Sequence, residues 1–277
     1  MAHGISRQYL FMSMLVLLIV LTLASGTLAQ RNPAPRHALV GSQLIPMDVD
    51  REHPIYQTSF ECMDVLKDWH LEGGKQASIS QGNLILESEP RNVEHQRDAN
   101  HLVFWLKREV SADFLLEFSV RPRNRQEGLN IVFFNTRGVN GESIFDPVLK
   151  SRSGVFKQYH SSDLNSYHVS YWAAGRGFAN LRKNRGFHLV ASGIDYIATG
   201  EPNTFQTVQI YKRGAQIRIM VDSKVAVAFD DDGKTFGPVH AHSGWIGLRQ
   251  MGHTLRCEYG YVRVYPLTAP TGGETAP

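Results

Sequence analysis

Between residues 158 and 188 the chain gathers side chains suited to binding or breaking a polyhydroxylated ligand. Ser166, His168, Ser170 and Trp172 occupy alternate positions, so a strand through them turns all four to one side and Tyr167, Val169 and Tyr171 to the other. An indole stacks on the face of a sugar ring, and an imidazole and small hydroxyls bond the sugar's own hydroxyls. His101 and Trp105 repeat the one-sided arrangement on a second run, which points to a shared groove. Around them lie Gln158, Tyr159, His160, Tyr171, Arg182, Lys183, Asn184, His188, Arg249 and Gln250. The stretch Asn180-Leu181-Arg182-Lys183-Asn184 is too polar for a central strand and reads as a functional loop set on a rigid sheet.

Two kinds of chemistry suit this set. Removal of the C5 proton of a uronic acid needs a base such as His or Tyr, together with a cation that neutralises the carboxylate. His168 and Tyr159 supply the first, and Arg182 and Arg249 the second, with a bidentate guanidinium matching a uronate. An elimination on an oxidised, 3-keto sugar would use the same groups. A non-catalytic carbohydrate-binding module would use the same aromatic and polar groups with no base. Retaining β-glucan hydrolysis is disfavoured, because the Glu-x-Asp-x-Glu spacing that places two carboxylates together on one strand is missing from the sequence.

Cofactor signals are missing as well. The sequence has no glycine-rich phosphate loop after a strand, no Gly-x-Ser-x-Gly elbow and no His-Glu-x-x-His. Asp230-Asp231-Asp232-Gly233 directly follows a strand-like run and reads as a turn, with a structural calcium site as the alternative. His240, His242 and His253 come nearest to a metal cluster and read as an exposed polar loop, so no metal is expected.

The elements that must hold these residues are strands. Ala77–Ser80, a Gly82-Asn83 turn and Leu84–Leu86 make a hairpin. Leu102, Phe104 and Leu106 form one apolar face, and Phe114, Leu116, Phe118 and Val120 another, each opposed by a mixed face. Runs beginning at Val208, Ile217 and Val225, separated by Arg213-Gly214 and Asp222-Ser223, make a meander; two more strands follow at 244–249 and 257–265. With tight turns and no crossover helices, the expected fold is an all-β, two-sheet antiparallel jelly-roll sandwich.

The ends carry different information. Arg7, the apolar run Leu10–Leu23 and the small residues of 24–29 have the order of a signal peptide cut after Ala29, which implies a periplasmic or secreted protein with no membrane segment once cleaved. Residues 30–54 read as a linker or extended arm, 55–267 as the jelly-roll domain and 268–277 as a disordered tail. With 42% apolar and 20% charged residues and a formal charge of +3, the chain builds a large core and offers no nucleic-acid footprint.

Several longer motifs recur together: Phe145-Asp146-Pro147, Gln158-Tyr159-His160, Tyr167-His168-Val169-Ser170-Tyr171, Asn180-Leu181-Arg182-Lys183-Asn184, Gly186-Phe187-His188-Leu189-Val190 and Gly247-Leu248-Arg249-Gln250-Met251. Over about residues 56–267 the chain resembles the bacterial domain of unknown function 1961 family, also called YesU-like. The resemblance implies a concanavalin A-like lectin/glucanase jelly roll and an oligo- or polysaccharide as partner, in the breakdown of plant or algal polysaccharides. Because first and last strands of such sandwiches are commonly neighbours, it also implies that Cys62 and Cys257 can meet as a disulfide, which an oxidising compartment would preserve.

Overall fold

The structure is a computed structural model, and it describes residues 48–88, 100–124, 126–201 and 203–268. The signal segment, residues 30–47 of the expected arm and the tail from 269 lie outside the described residues. Among the described residues fifteen strands form two antiparallel sheets. In chain order they are β1 (Tyr56–Thr58), β2 (Trp69–Gly73), β3 (Gln76–Ser80), β4 (Asn83–Glu87), β5 (Leu102–Leu106), β6 (Phe114–Pro122), β7 (Asn130–Gly138), β8 (Leu164–Tyr171), β9 (Phe178–Asn184), β10 (His188–Ile194), β11 (Gln206–Arg213), β12 (Gln216–Val221), β13 (Lys224–Asp230), β14 (Trp245–Gln250) and β15 (Arg256–Pro266). Among the described residues helix is limited to single turns, α1 (Lys157–His160) and α2 (Tyr196–Thr199), and two 3-10 turns.

The eight-stranded sheet runs β13-β12-β11-β6-β15-β4-β3, with β1 paired to β15; the seven-stranded sheet runs β10-β9-β8-β7-β14-β5-β2. The expected jelly-roll sandwich is therefore present. Alternation explains how the sheets stack: Phe114, Leu116, Phe118 and Val120 of β6 face Leu102, Phe104 and Leu106 of β5, Val132 and Phe134 of β7 and Leu248 of β14 in one large core. At the β10 edge the sheets come so close that a Cβ on Gly193 would lie 1.7 Å from the Ala226 carbonyl oxygen.

A second apolar cluster lies on the other side of the seven-stranded sheet. Val103 and Trp105 of β5, Ile131 and Phe133 of β7 and Trp245 of β14 point away from the sandwich, and residues 139–163 fold back over them with Ile144, Leu149, Phe156 and Tyr159. This roof leaves the sheet at the end of β7 and re-enters it at β8, strands that pair with each other. A buried ion pair fastens it: Arg152 Nη2 lies 2.8 Å from Glu72 Oε1 on β2, and both side chains are 6% exposed. Trp105 Nε1 (3.0 Å) and the Tyr159 hydroxyl (2.8 Å) both donate to Glu72 Oε2, so the carboxylate is fully engaged.

Several expectations are corrected. The 180–184 run is no loop but most of β9, an inner strand whose alternate residues face different surroundings. Residues 48–54, the described part of the expected linker or extended arm, lie against the domain, where Val49 bridges Leu267 and packs beside Tyr265. Cys62 and Cys257 are free thiols, the first exposed and the second buried. First and last strands do pair, Tyr56 opposite Val264. At Phe60, however, φ is 55°, and the chain leaves the ladder before it reaches Cys62, which precedes a 3-10 turn. Cys257 meanwhile accepts from Asn130 Nδ2 at 3.2 Å inside the sandwich, where burial pushes its thiol up to about 12.

Candidate functional site

Cross-strand register decides which expected residues share a surface. On the outer face of the seven-stranded sheet, His168 stands opposite Arg182 and Phe133, Ser166 opposite Asn184, and Ser170 opposite Asn180 and Ile131. Arg249 of β14 is level with Ile131 and Val103 on that face. The roof adds Phe156, Tyr159 and His160, and the β9–β10 turn adds Phe187, giving a compact aromatic and cationic cluster. Phe156 meets His160 at 4.5 Å and Phe187 at 5.4 Å between ring centroids, and His160 meets Phe187 at 4.4 Å. The Arg182 guanidinium lies 3.9 Å from the Phe187 centroid, and that of Arg249 lies 4.7 Å from Phe156.

The four residues assigned to catalysis are thus near one another, but three are sealed. Tyr159 has no exposed surface; its hydroxyl is spent between Glu72 and the Gly154 amide, and burial with the Glu72 charge raises its pKa. Arg249 is equally buried and donates to the Gly154 carbonyl at 2.8 Å. His168 is 1% exposed, with Asn184 Nδ2 2.8 Å from its Nδ1, which leaves the ring proton on Nε2. Burial first, then the charges of Arg182, His160 and Arg249, hold His168 well below its ordinary pKa, so it is neutral. Only Arg182 is half-buried and reachable; it donates to the Phe187 carbonyl at 2.8 Å.

Of the expected ligand contacts, His160 fares best. It is half-buried beside Phe156 and Phe187, and burial followed by the Arg249 and Arg182 charges brings its pKa down to about 4. Gln158 is tied to the roof, accepting from the Ser153 amide. Asn184 serves the interior of the site through Ser166 and His168. The others lie elsewhere. Trp105 is under the roof, and His101 Nδ1 accepts from the Gly252 amide. Tyr171 is in the main core, and Trp172 joins it because its φ of 56° breaks the alternation that would have kept it beside His168 and Ser170. Gln250 faces inward to Ser88 and Leu255. Lys183 and His188 face away from Arg182: Lys183 pairs with Asp231 at 2.8 Å, and His188 stacks on Phe236 at 4.2 Å.

The carboxylates of 230–232 do not converge, since Asp230 pairs with Arg218, Asp231 meets Lys183 and the Tyr167 hydroxyl, and Asp232 caps the turn at Lys234 and Thr235. Among the described residues no group of carboxylate, imidazole and thiol side chains is placed to hold a metal.

Several contributors were missed in the sequence: Phe156, Phe187, Ser192 and Arg176. Arg176, on the β8–β9 turn, reaches over Ser170 (Nη2 to Oγ 3.1 Å) and the Phe178 ring. Beside it Ser192 Oγ donates to Asn180 Oδ1 at 2.6 Å, completing a row of hydroxyls and amide next to Arg182. Burial first, then the Arg176 charge, lowers the Arg182 pKa; burial also lowers that of Arg176, against the charge of Asp195, and among the described residues neither guanidinium is in salt-bridge contact with a carboxylate. The exposed Gly175 and Gly177 that flank Arg176 were the available signal: a turn that carries a long cation back over a sheet.

Two stacked antiparallel sheets, one with a roofed outer face, define a jelly-roll sandwich by architecture alone. The chain belongs to the DUF1961 family, a domain of unknown function whose profile matches residues 53–264. It is 33% identical over 204 residues to the uncharacterized protein YesU of Bacillus subtilis (strain 168), a match covering 71% of this chain and 89% of that one. A crystal structure of a protein of unknown function with a galectin-like fold, from Bacillus subtilis, superposes with a TM-score of 0.70 at 29% identity, covering 80% of this chain and 100% of that chain. A non-specific endo-β-1,3(4)-glucanase of family GH16 superposes at 0.54 with 13% identity, covering 82% and 94%, which is a likeness of fold.

Proposed function

We propose that this protein binds acidic glycans at the open corner of the seven-stranded sheet, through Arg176 and Arg182. The observation that carries the reading is the pair of guanidinium groups, neither in direct contact with a carboxylate, set beside Ser192, Asn180 and the Phe187 ring. Guanidinium answers a uronate carboxylate, the amide and hydroxyl answer ring hydroxyls, and the aromatic edge answers the apolar face of a pyranose. The signal-like N-terminus supports placing this activity outside the cytoplasm.

Elimination chemistry is a second reading, supported by His160. A neutral imidazole beside the Arg182 guanidinium has the parts needed to take the C5 proton of a bound uronate as the bond from C4 to its oxygen breaks, the imidazolium then returning that proton to the departing oxygen. His160, not the sealed His168, is the base in this version.

Calorimetric titration with uronic-acid oligosaccharides and their carboxyl-reduced counterparts tests the binding reading. Binding is expected for the acidic series, with a loss of about 10- to 100-fold in Arg182→Gln, the range for a hydrogen bond to a charged group. Equal affinity for the reduced sugars would overturn it. Appearance of unsaturated-uronate absorbance, abolished in His160→Ala, would establish elimination.

A further inference from the structure

The outer face of a jelly-roll sheet can serve as a channel across which a polysaccharide lies, each strand contributing a contact to successive sugars. Here most of that face is closed. Val103, Trp105 and Phe133 have no exposed surface, nor has Arg249, because Ile144, Leu149, Phe156 and Tyr159 of the roof lie over β5, β14 and β7. The roof is anchored by the Glu72–Arg152 pair rather than draped. What stays open is the outer side of β9 and β10 around Arg182, Leu189, Ser192, Phe178 and Ile194, while Ser166, His168 and Ser170 of β8 are buried.

That corner is walled on three sides. Phe156 and His160 close it towards the middle of the sheet. At one end of the strands, Phe187 folds down from the β9–β10 turn onto His160 and His168. At the other end Arg176 folds back over Ser170 and Phe178. Among the described residues only the β10 side is open, and β10 is the edge strand of its sheet. With neighbouring strands about 4.8 Å apart, the shelf over β9 and β10 is on the order of 5–10 Å across, the span of one or two sugar rings.

We infer that the site reads the end of a glycan chain: a terminal acidic sugar enters from the β10 side, its carboxylate meets Arg182 and Arg176, and its progress stops at Phe156 and His160. This rests on the glycan reading above. An internal run of sugars has no path, since it would have to continue through the roof or through Phe187.

Length and end labelling test it, with a uronic-acid homopolymer and the oligosaccharides made from it as probes. Affinity per chain is expected to level off at about the disaccharide, changing by less than about threefold with further length. Binding capacity per gram should rise as the polymer is shortened, because chain ends are what is counted. A bulky fluorophore on one end should cost more than about tenfold in affinity, and the same group on the other end should cost nothing. Affinity that climbs with length, many copies of protein per long chain, or indifference to both labels would overturn the end-reading inference while leaving glycan binding in place. Failure to bind any length would overturn both.

Discussion

Removing Arg152 exposes how the roof is held. Arg152→Met keeps an apolar stem but removes the guanidinium, which leaves Glu72 buried at 6% exposure with only the Trp105 and Tyr159 donors and frees the Ile144 carbonyl. Breaking a buried ion pair from one side costs about 3–5 kcal/mol, because the remaining charge stays out of water without compensation. At a urea dependence of about 2 kcal/mol per molar, the unfolding midpoint should fall by about 1.5–2.5 M. The double variant Glu72→Gln/Arg152→Met removes the orphaned charge and should recover most of that loss, since a buried pair replaced as a whole is close to neutral. Urea titration followed by tryptophan fluorescence reads both quantities, because Trp105 and Trp245 lie under the roof. A midpoint shift below about 0.5 M for the single variant, or a double variant no more stable than the single one, would refute the claim that this pair fastens the roof.

Two further outcomes follow from buried groups. One thiol, Cys62, should react with Ellman's reagent in the native protein and a second, Cys257, only after unfolding; a denatured, unreduced sample without free thiols would contradict the separation of the two cysteines. His240 is buried with its Nε2 2.8 Å from the Asn184 carbonyl, and burial brings its pKa down to about 4. The unfolded chain takes up that proton near pH 6.5 and the folded one only near 4, so stability is full above about 6.5 and falls as pH drops towards 4. One such histidine contributes a loss on the order of 3 kcal/mol across that window. His240→Gln, which keeps a donor, should flatten the acid limb of a urea-midpoint-against-pH curve, and an unchanged limb would remove His240 as its source.

Period-two alternation made most of the fold legible. The β3–β4 hairpin, the β11–β12–β13 meander and the core faces of β5 and β6 are all where alternation and turn residues put them. The candidate site was less legible because alternation was carried past the places where the backbone breaks it. Trp172 lies one residue beyond β8 at positive φ, and the register of β10 shifts between Leu189 and Ala191, so His188 and Leu189 do not continue the parity of Ser192. The roof has no apolar period to announce it. Its trace lay in the strands beneath: Leu102-Val103-Phe104-Trp105-Leu106 and Ile131-Val132-Phe133-Phe134 are apolar at every position, the pattern of strands buried on both faces. Arginine positions were informative about charge but not about access, as Arg182 and Arg249 are level with the same cluster and only one of them is reachable.

The roof departs from β7 and returns into β8, and those two strands are hydrogen-bonded to each other whether or not anything connects them at length. Topologically, residues 139–163 are an excursion from a hairpin, and every ladder in the seven-stranded sheet closes without them. The segment is therefore an exchangeable module: swapped for a tight turn, with its apolar footing at Val103, Trp105, Ile131 and Phe133 recoded to polar residues, the same scaffold would present an uninterrupted trough in place of a cul-de-sac.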